Sequence, residues 1–257
     1  MITWEVADGE WQMGRWRVAC ALYYNQSMES HHPVPLWLWR LATWGFGVAV
    51  VGVIGLAWGL SRGWADPPRA GPLLWYENFQ GDLTRWEFIT SNGAALGPGE
   101  GALRAEFTAP EQLAMGLTSG PAGDFTLEIA GTQTAGDIGA AYGLIFAWQD
   151  EAHYSAVLIN GNGYAEAYRQ AGAERTSWFA WQQWPNILLG TGSNRVRVDV
   201  GGGQMIARVN DEVLVEAETD AGGRVGVLAR SPSASLRAGS GPSRVVFSWV
   251  QMWAPSP

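Results

Sequence analysis

Three tryptophans at three-residue spacing, Trp178, Trp181 and Trp184 in the stretch TSWFAWQQWPNILLG, are the residues of this chain best suited to recognition chemistry. An indole stacks on the apolar face of a sugar, anchors a protein interface or fills a core. All three uses are open here: packing against a sheet edge, contact with a protein or lipid, or binding of a glycan. Tyr164 and Tyr168 alternate on the preceding segment and would extend the same surface. These five aromatics form the candidate ligand or partner contact.

Acid–base and nucleophilic chemistry find less to work with. The acid pairs Asp150/Glu151 and Asp211/Glu212 are adjacent in sequence, so on strands they would face opposite sides and in turns they would be solvated. His153 has no Gly-x-Ser-x-Gly elbow to serve. Asp124, Asp137 and Asp150 could offer oxygen ligands to calcium, but no Asp-x-Asp-x-Asp loop gathers them. All 16 basic residues are arginines, which removes the Walker A loop and lysine Schiff-base chemistry. A single cysteine, Cys20, leaves no intrachain disulfide or Cys-x-x-Cys pair. Of three histidines only His153 lies beyond residue 32, too few for a multi-histidine metal centre. The expectation is a chain with no catalytic residues, no metal and no cofactor: not an enzyme. The net charge of −8 falls wholly beyond residue 69. Such an acidic domain repels phosphate backbones, so nucleic acid is not an expected partner.

The elements that would hold these residues read as strands. Segments 73–79, 85–90, 101–108, 111–118, 124–133, 140–149, 152–160 and 163–170 precede the tryptophan-rich passage. Segments 194–200, 204–209, 212–217, 223–229 and 243–253 follow it. Val196, Val198 and Val200 alternate with Arg195, Arg197 and Asp199, one face in and one face out. Asn160-Gly161-Asn162-Gly163 and Asn210-Asp211 read as hairpin turns. About a dozen short strands without a helix among them predict an all-β, two-sheet antiparallel sandwich.

The order of segments resembles the concanavalin A-like lectin/glucanase jelly roll, in its laminin G-like, 3-keto-disaccharide-hydrolase-like bacterial branch. The residues that carry the resemblance are Asn78-Phe79 and Trp86, then Gly123-Asp124-Phe125-Thr126-Leu127-Glu128. Tyr142-Gly143-Leu144-Ile145-Phe146, Asp150 and Tyr154 follow, then Asn194-Arg195-Val196-Arg197-Val198 and Val209-Asn210. Gly222-Gly223-Arg224-Val225-Gly226-Val227 and Phe247-Ser248-Trp249-Val250 close the series. It covers roughly residues 73–254 and consists mostly of packing and turn residues. The resemblance implies a jelly roll that hosts glycan binders, hydrolases or adhesion modules. Members that cleave β-glucans carry a Glu-x-Asp-x-x-Glu strand. Here Glu128 continues instead with Ala130, Thr132 and Gln133.

Ahead of these strands lies LWLWRLATWGFGVAVVGVIGLAWGLSRGW, residues 36–64, with no charge between Arg40 and Arg62. As a helix its uncharged part would cover roughly 30 Å, a bilayer's hydrocarbon core. Trp37, Trp39, Trp44, Trp58 and Trp64 would sit at the membrane interfaces. Gly45, Gly52 and Gly59 recur every seven residues with Ala49 interleaved, and Gly55 pairs with Gly59. Small residues let membrane helices approach closely, so Gly45, Ala49, Gly52, Gly55 and Gly59 are the candidate helix-docking stripe.

The expected organisation is an N-terminal tail (1–35), a transmembrane helix (36–64), a linker (65–72) and a jelly-roll domain (73–257). The tail is placed in the cytoplasm and the jelly roll outside it, in a single-pass protein of the cell membrane. The expected function is that of a non-catalytic accessory subunit. It would meet lipid and other membrane-protein subunits and dock on the outer side of a larger bacterial membrane complex, an electron-transfer complex being one candidate. The alternative is a membrane-anchored carbohydrate-binding module, with a glycan as ligand. A glycosidase-like hydrolase stands behind both.

Overall fold

The computed structural model describes residues 35–59, 70–220, 222–232 and 241–255. The tail, Trp64 and most of the linker lie outside the described residues. The chain divides into two units near residue 62.

The first contains helix α1, Leu36–Gly59, which follows Pro35. At 1.5 Å per residue its 24 residues reach about 36 Å, and it is long and apolar enough to cross a bilayer. The Thr43 hydroxyl donates back to the carbonyls of Trp39 and Arg40, so its polar atom is satisfied within the helix. Trp37, Trp39, Trp44 and Trp58 are all exposed. A methyl group added at Gly45, Gly52 or Gly55 would meet open space.

Among the described residues the second unit has fifteen strands. In chain order they are β1 (Leu73–Glu77), β2 (Glu87–Thr90), β3 (Ala94–Gly99), β4 (Ala102–Phe107) and β5 (Leu113–Ser119). Next come β6 (Phe125–Ala135), β7 (Ala141–Asp150), β8 (His153–Asn160), β9 (Tyr164–Ala171) and β10 (Glu174–Gln183). The chain closes with β11 (Asn194–Gly201), β12 (Gln204–Val209), β13 (Glu212–Glu218), β14 (Arg224–Arg230) and β15 (Ser243–Trp253). They form two antiparallel sheets. One runs β13-β12-β11-β6-β15-β4-β3, with β1 also paired to β15; the other runs β10-β9-β8-β7-β14-β5-β2. This is the expected jelly-roll sandwich behind one apolar helix.

Alternation builds the core between the sheets. Phe125, Leu127 and Ile129 of β6 and Val196, Val198 and Val200 of β11 meet Tyr142, Leu144 and Phe146 of β7 and Val225 and Val227 of β14. Phe79 and Trp86 close one end at 5.4 Å. Buried Glu77 accepts hydrogen bonds from the Phe79 amide and the Trp86 indole, which fixes Phe79 at a φ of 59°. Both expected hairpins form. Asn210 and Asp211 take φ values of 50° and 75°, and the Asn160 side chain accepts from the amides of Asn162 and Tyr164.

Two strands escape the sequence pattern. Strand β3 (AALGPG) is poor in strand formers and carries Pro98, which is tolerated because β3 is an edge strand. Strand β10 holds Trp178 and Trp181, with Trp184 directly after it. Its pairing with β9 shifts register twice, between Ser177 and Phe179 and between Phe179 and Gln182, so period-two alternation is broken locally.

The two outer faces differ in chemistry. On the eight-stranded sheet the outward positions pair charges: Arg197 with Asp199, Arg195 with Glu128, Arg244 with Glu106. On the seven-stranded sheet the outward positions form a second apolar cluster, including Met115, Leu117, Ile145, Ala156, Leu158 and Leu228. These outward side chains are themselves buried, with Ile89, Leu113, Trp148 and Tyr154 packed against them.

Candidate functional site

Strand parity places the site. On β9, Ala165 and Ala167 enter the core, so Tyr164, Glu166 and Tyr168 face outward. Trp178 and Trp181 lie on β10 and Trp184 directly after it; their odd spacing of three sets Trp181 opposite the other two, and the two one-residue register shifts together leave that parity unchanged. Trp178 and Trp184 pack against the core, Trp184 edge-on to Phe179 at 5.7 Å. Trp181 instead stacks on Tyr164, with ring centres 6.0 Å apart and planes 19° from parallel, and is 38% exposed. The structure therefore joins Trp181, Tyr164 and Tyr168 on one face and removes Trp178 and Trp184 from it.

Glu166 lies among these rings, nearly buried. Arg175 of β10 reaches it at 2.6 Å, passing 3.6 Å above the centre of the Tyr168 ring. Arg230 of β14 reaches the other carboxylate oxygen, also at 2.6 Å, and its guanidinium lies 5.4 Å from the Trp181 ring. Three strand spacings separate β14 from β9, about 14 Å along the sheet. The two side chains close that gap; in the register Ala141 of β7 lies in the row of Arg230 and Gly143 in the row of Glu166, both small. Tyr168 packs edge-on against Tyr154 at 5.9 Å, and burial pushes its phenol well above the usual tyrosine range. At the far end of the face Arg224 pairs with Glu87 and sits 5.0 Å from Trp148.

What this arrangement presents is chemically specific. The aromatic surface is Trp181 with Tyr164. The accessible polar groups are guanidinium donors, because the carboxylate between them is covered. Glu166 and Glu87 occupy β9 and β2, five strand spacings apart, about 24 Å along the sheet. Glycosidic hydrolysis by paired carboxylates uses separations of about 5–10 Å. Hydrolysis on this face would therefore combine Glu166 with a group other than Glu87.

Other residues singled out from sequence lie apart from this face. Glu128 is on the outer face of the opposite sheet, its pKa raised by burial despite Arg195 and Arg197 nearby. His153 is exposed in the β7–β8 turn and bonds Asp150 at 2.8 Å; that bond and the Ala152 amide hold the Asp150 carboxyl below the usual range. Asp124 accepts from the amide of Gly202 in the β11–β12 turn, and Asp137 from the amide of Gly139 in its own turn. Glu166, Arg175 and Arg230 went unmarked in sequence. Parity with Tyr164 and Tyr168 was signal enough for Glu166. Nothing local points to Arg230, which arrives from a strand 64 residues later.

A second hollow of about 570 Å³ lies on the eight-stranded sheet, between Trp249, Leu188 and Arg195. Its polar groups are engaged: Arg195 pairs with Glu128 and Asp211, and the Asn210 amide donates to Asn186 and Asn194.

No protein-family model and no curated protein sequence matches this chain. Solved structures do resemble it. Carbohydrate binding module CBM66 from Bacillus subtilis is 16% identical, covers 67% of this chain and 98% of its own, and superposes with a TM-score of 0.51. SCLam, a non-specific endo-β-1,3(4)-glucanase from family GH16, is 12% identical over 74% of this chain and 93% of its own, with a TM-score of 0.53. The Bacillus licheniformis β-glucanase is 12% identical over 72% of this chain and 100% of its own, with a TM-score of 0.50. At these identities the likeness shows the fold, the concanavalin A-like jelly roll anticipated from segment order. It also corrects the expectation that the chain is not an enzyme. That expectation rested on finding no catalytic motif, the Glu-x-Asp-x-x-Glu strand among them, yet endo-glucanases stand beside a binding module among the neighbours. A missing strand motif therefore does not remove hydrolysis from consideration.

Proposed function

We propose that this chain is a carbohydrate-recognising jelly roll tethered by helix α1, with saccharide taken on the outer face of the seven-stranded sheet. The observation that carries the reading is Trp181, held outward and stacked on Tyr164 beside the guanidinium of Arg230. A flat aromatic surface receives the C–H face of a pyranose, and fixed donors beside it meet ring hydroxyls. The binding module and glucanases of similar fold support a glycan ligand. Helix α1 has the length and composition of a membrane anchor or of a signal sequence. We read it as an anchor, because its apolar run exceeds the 7–15 residues of a signal core, with Trp37, Trp39, Trp44, Trp58 and Trp64 at the interfaces. In this reading the tail is cytoplasmic, residues 65–72 are a linker and residues 73–257 are extracytoplasmic. The stripe Gly45, Ala49, Gly52, Gly55 and Gly59 is then the side on which α1 meets another membrane helix.

The test is a glycan array probed with the full chain in detergent, repeated with Trp181→Ala, alongside a reducing-end assay for hydrolysis of every glycan bound. Binding lost in Trp181→Ala supports the reading. An array with no binding at all overturns it. Release of reducing ends would identify the same face as an active site.

A further inference from the structure

We propose that the saccharide recognised on this face is an acidic one, whose carboxylate or sulfate offers paired oxygens to Arg175 and Arg230. This rests on the glycan-binding reading and names its ligand class.

The first ground is charge. The domain is strongly acidic, yet among the described residues the outer face of the seven-stranded sheet sets Arg175 and Arg230 on Glu166, and Arg224 on Glu87. Arg224 is matched by Glu87. One carboxylate, Glu166, then stands between two guanidiniums, and the cluster holds one positive charge in excess. An anion entering there meets an attraction that the rest of the domain opposes.

The second ground is access. Glu166 gives one oxygen to each arginine and is covered by them, its side chain only 8% exposed, whereas Arg175 and Arg230 are 41% and 32% exposed. An incoming ligand meets donors first. Each guanidinium has five N–H groups in a planar fork and spends one nitrogen on Glu166. The remaining donors match paired acceptor oxygens, the geometry in which arginine binds carboxylates and other oxyanions most strongly. A neutral sugar would meet these donors with uncharged hydroxyls, which form the weaker hydrogen bonds.

The third ground is position. Arg230 lies beside Trp181 and Arg175 lies over Tyr168. A pyranose resting on Trp181 and Tyr164 would therefore carry its acidic substituent towards the guanidiniums. The glutamate holds both arginines extended along the face, so little side-chain freedom is lost on binding.

The test uses the full chain in detergent and three probes of equal length: an oligogalacturonate, a sulfated oligosaccharide and a neutral oligoglucan, titrated by calorimetry at low and high salt. At least one acidic probe is expected to bind tenfold or more tighter than the neutral one, with an advantage that shrinks as salt rises. Arg230→Lys keeps the charge and the pairing with Glu166 but loses the fork; it should weaken acidic binding about tenfold and leave the neutral probe within twofold. Glu166→Gln releases both guanidiniums and should strengthen acidic binding. Far-ultraviolet circular dichroism verifies that each variant is folded. Equal affinity for acidic and neutral probes, with both lost in Trp181→Ala, overturns the acidic preference and leaves the glycan reading standing. Failure of all three probes together with an empty glycan array overturns both. The carboxylate and sulfate arms decide which oxyanion is preferred.

Discussion

Arg230 and Glu166 meet at 2.6 Å although β7 and β8 lie between their strands. The contact ties the middle of the seven-stranded sheet to its β9–β10 edge across the outer face. With Arg175 on the other carboxylate oxygen, it turns a row of unrelated side chains into one polar cluster.

That cluster has a stability consequence. Removing one partner of a buried ion pair costs about 3–5 kcal/mol. The arginines here are partly solvated, so Glu166→Ala should lower unfolding stability by less, about 1–3 kcal/mol, in urea denaturation. No change would mean that the cluster is held by its rings alone.

The tryptophans should separate in the same assay. Trp178→Ala and Trp184→Ala each open space against the core and should cost about 2–4 kcal/mol. Trp181→Ala should stay within about 1 kcal/mol of the parent, because its ring is partly exposed. A large loss in Trp181→Ala would make that residue structural.

Asn194 is fully buried and ties the passage after β10 to the core. Its amide nitrogen donates to Tyr142 and to the carbonyls of Leu188 and Gly192; its oxygen accepts from the Leu188 amide and from Asn210. Asn194→Ala leaves those groups unpaired and should cost about 3 kcal/mol, with faster amide hydrogen exchange near Leu188.

Tyr142 sets an alkaline limit. Burial raises its phenol from 10.0 to about 12, with the Asn194 bond opposing. The neutral phenol is thus favoured in the folded chain. Stability from this group is full below pH 10 and is lost as pH rises from about 10 to about 12. Tyr168, raised for the same reason, adds in the same direction. Ultraviolet titration should find these two tyrosines ionising only with unfolding; ionisation at ordinary pH in the folded chain would contradict the burial.

Gly143 and Gly226 lie within central strands with almost no room. A methyl group at Gly143 would collide with the Val157 carbonyl, and one at Gly226 with the Gly116 carbonyl. Gly143→Ala and Gly226→Ala should each lose about 3 kcal/mol or more, read as lost soluble yield or a lowered Tm.

What the sequence by itself determined is what periodicity and length can encode. Val196, Val198 and Val200 declared a sheet face because side chains alternate along any strand. Asn210-Asp211 declared a hairpin because few residues accept positive φ. The 21 uncharged residues between Arg40 and Arg62 declared a bilayer-spanning length because helix rise is constant. The tertiary structure alone decided the site. An odd spacing of three puts Trp181 opposite Trp178 and Trp184 on any extended chain, but which of the two faces is the core was decided by the pairing of β10 with β9. Arg230 joined Glu166 because the sheet order sets β14 three strands from β9, a relation between segments 64 residues apart that no local pattern carries.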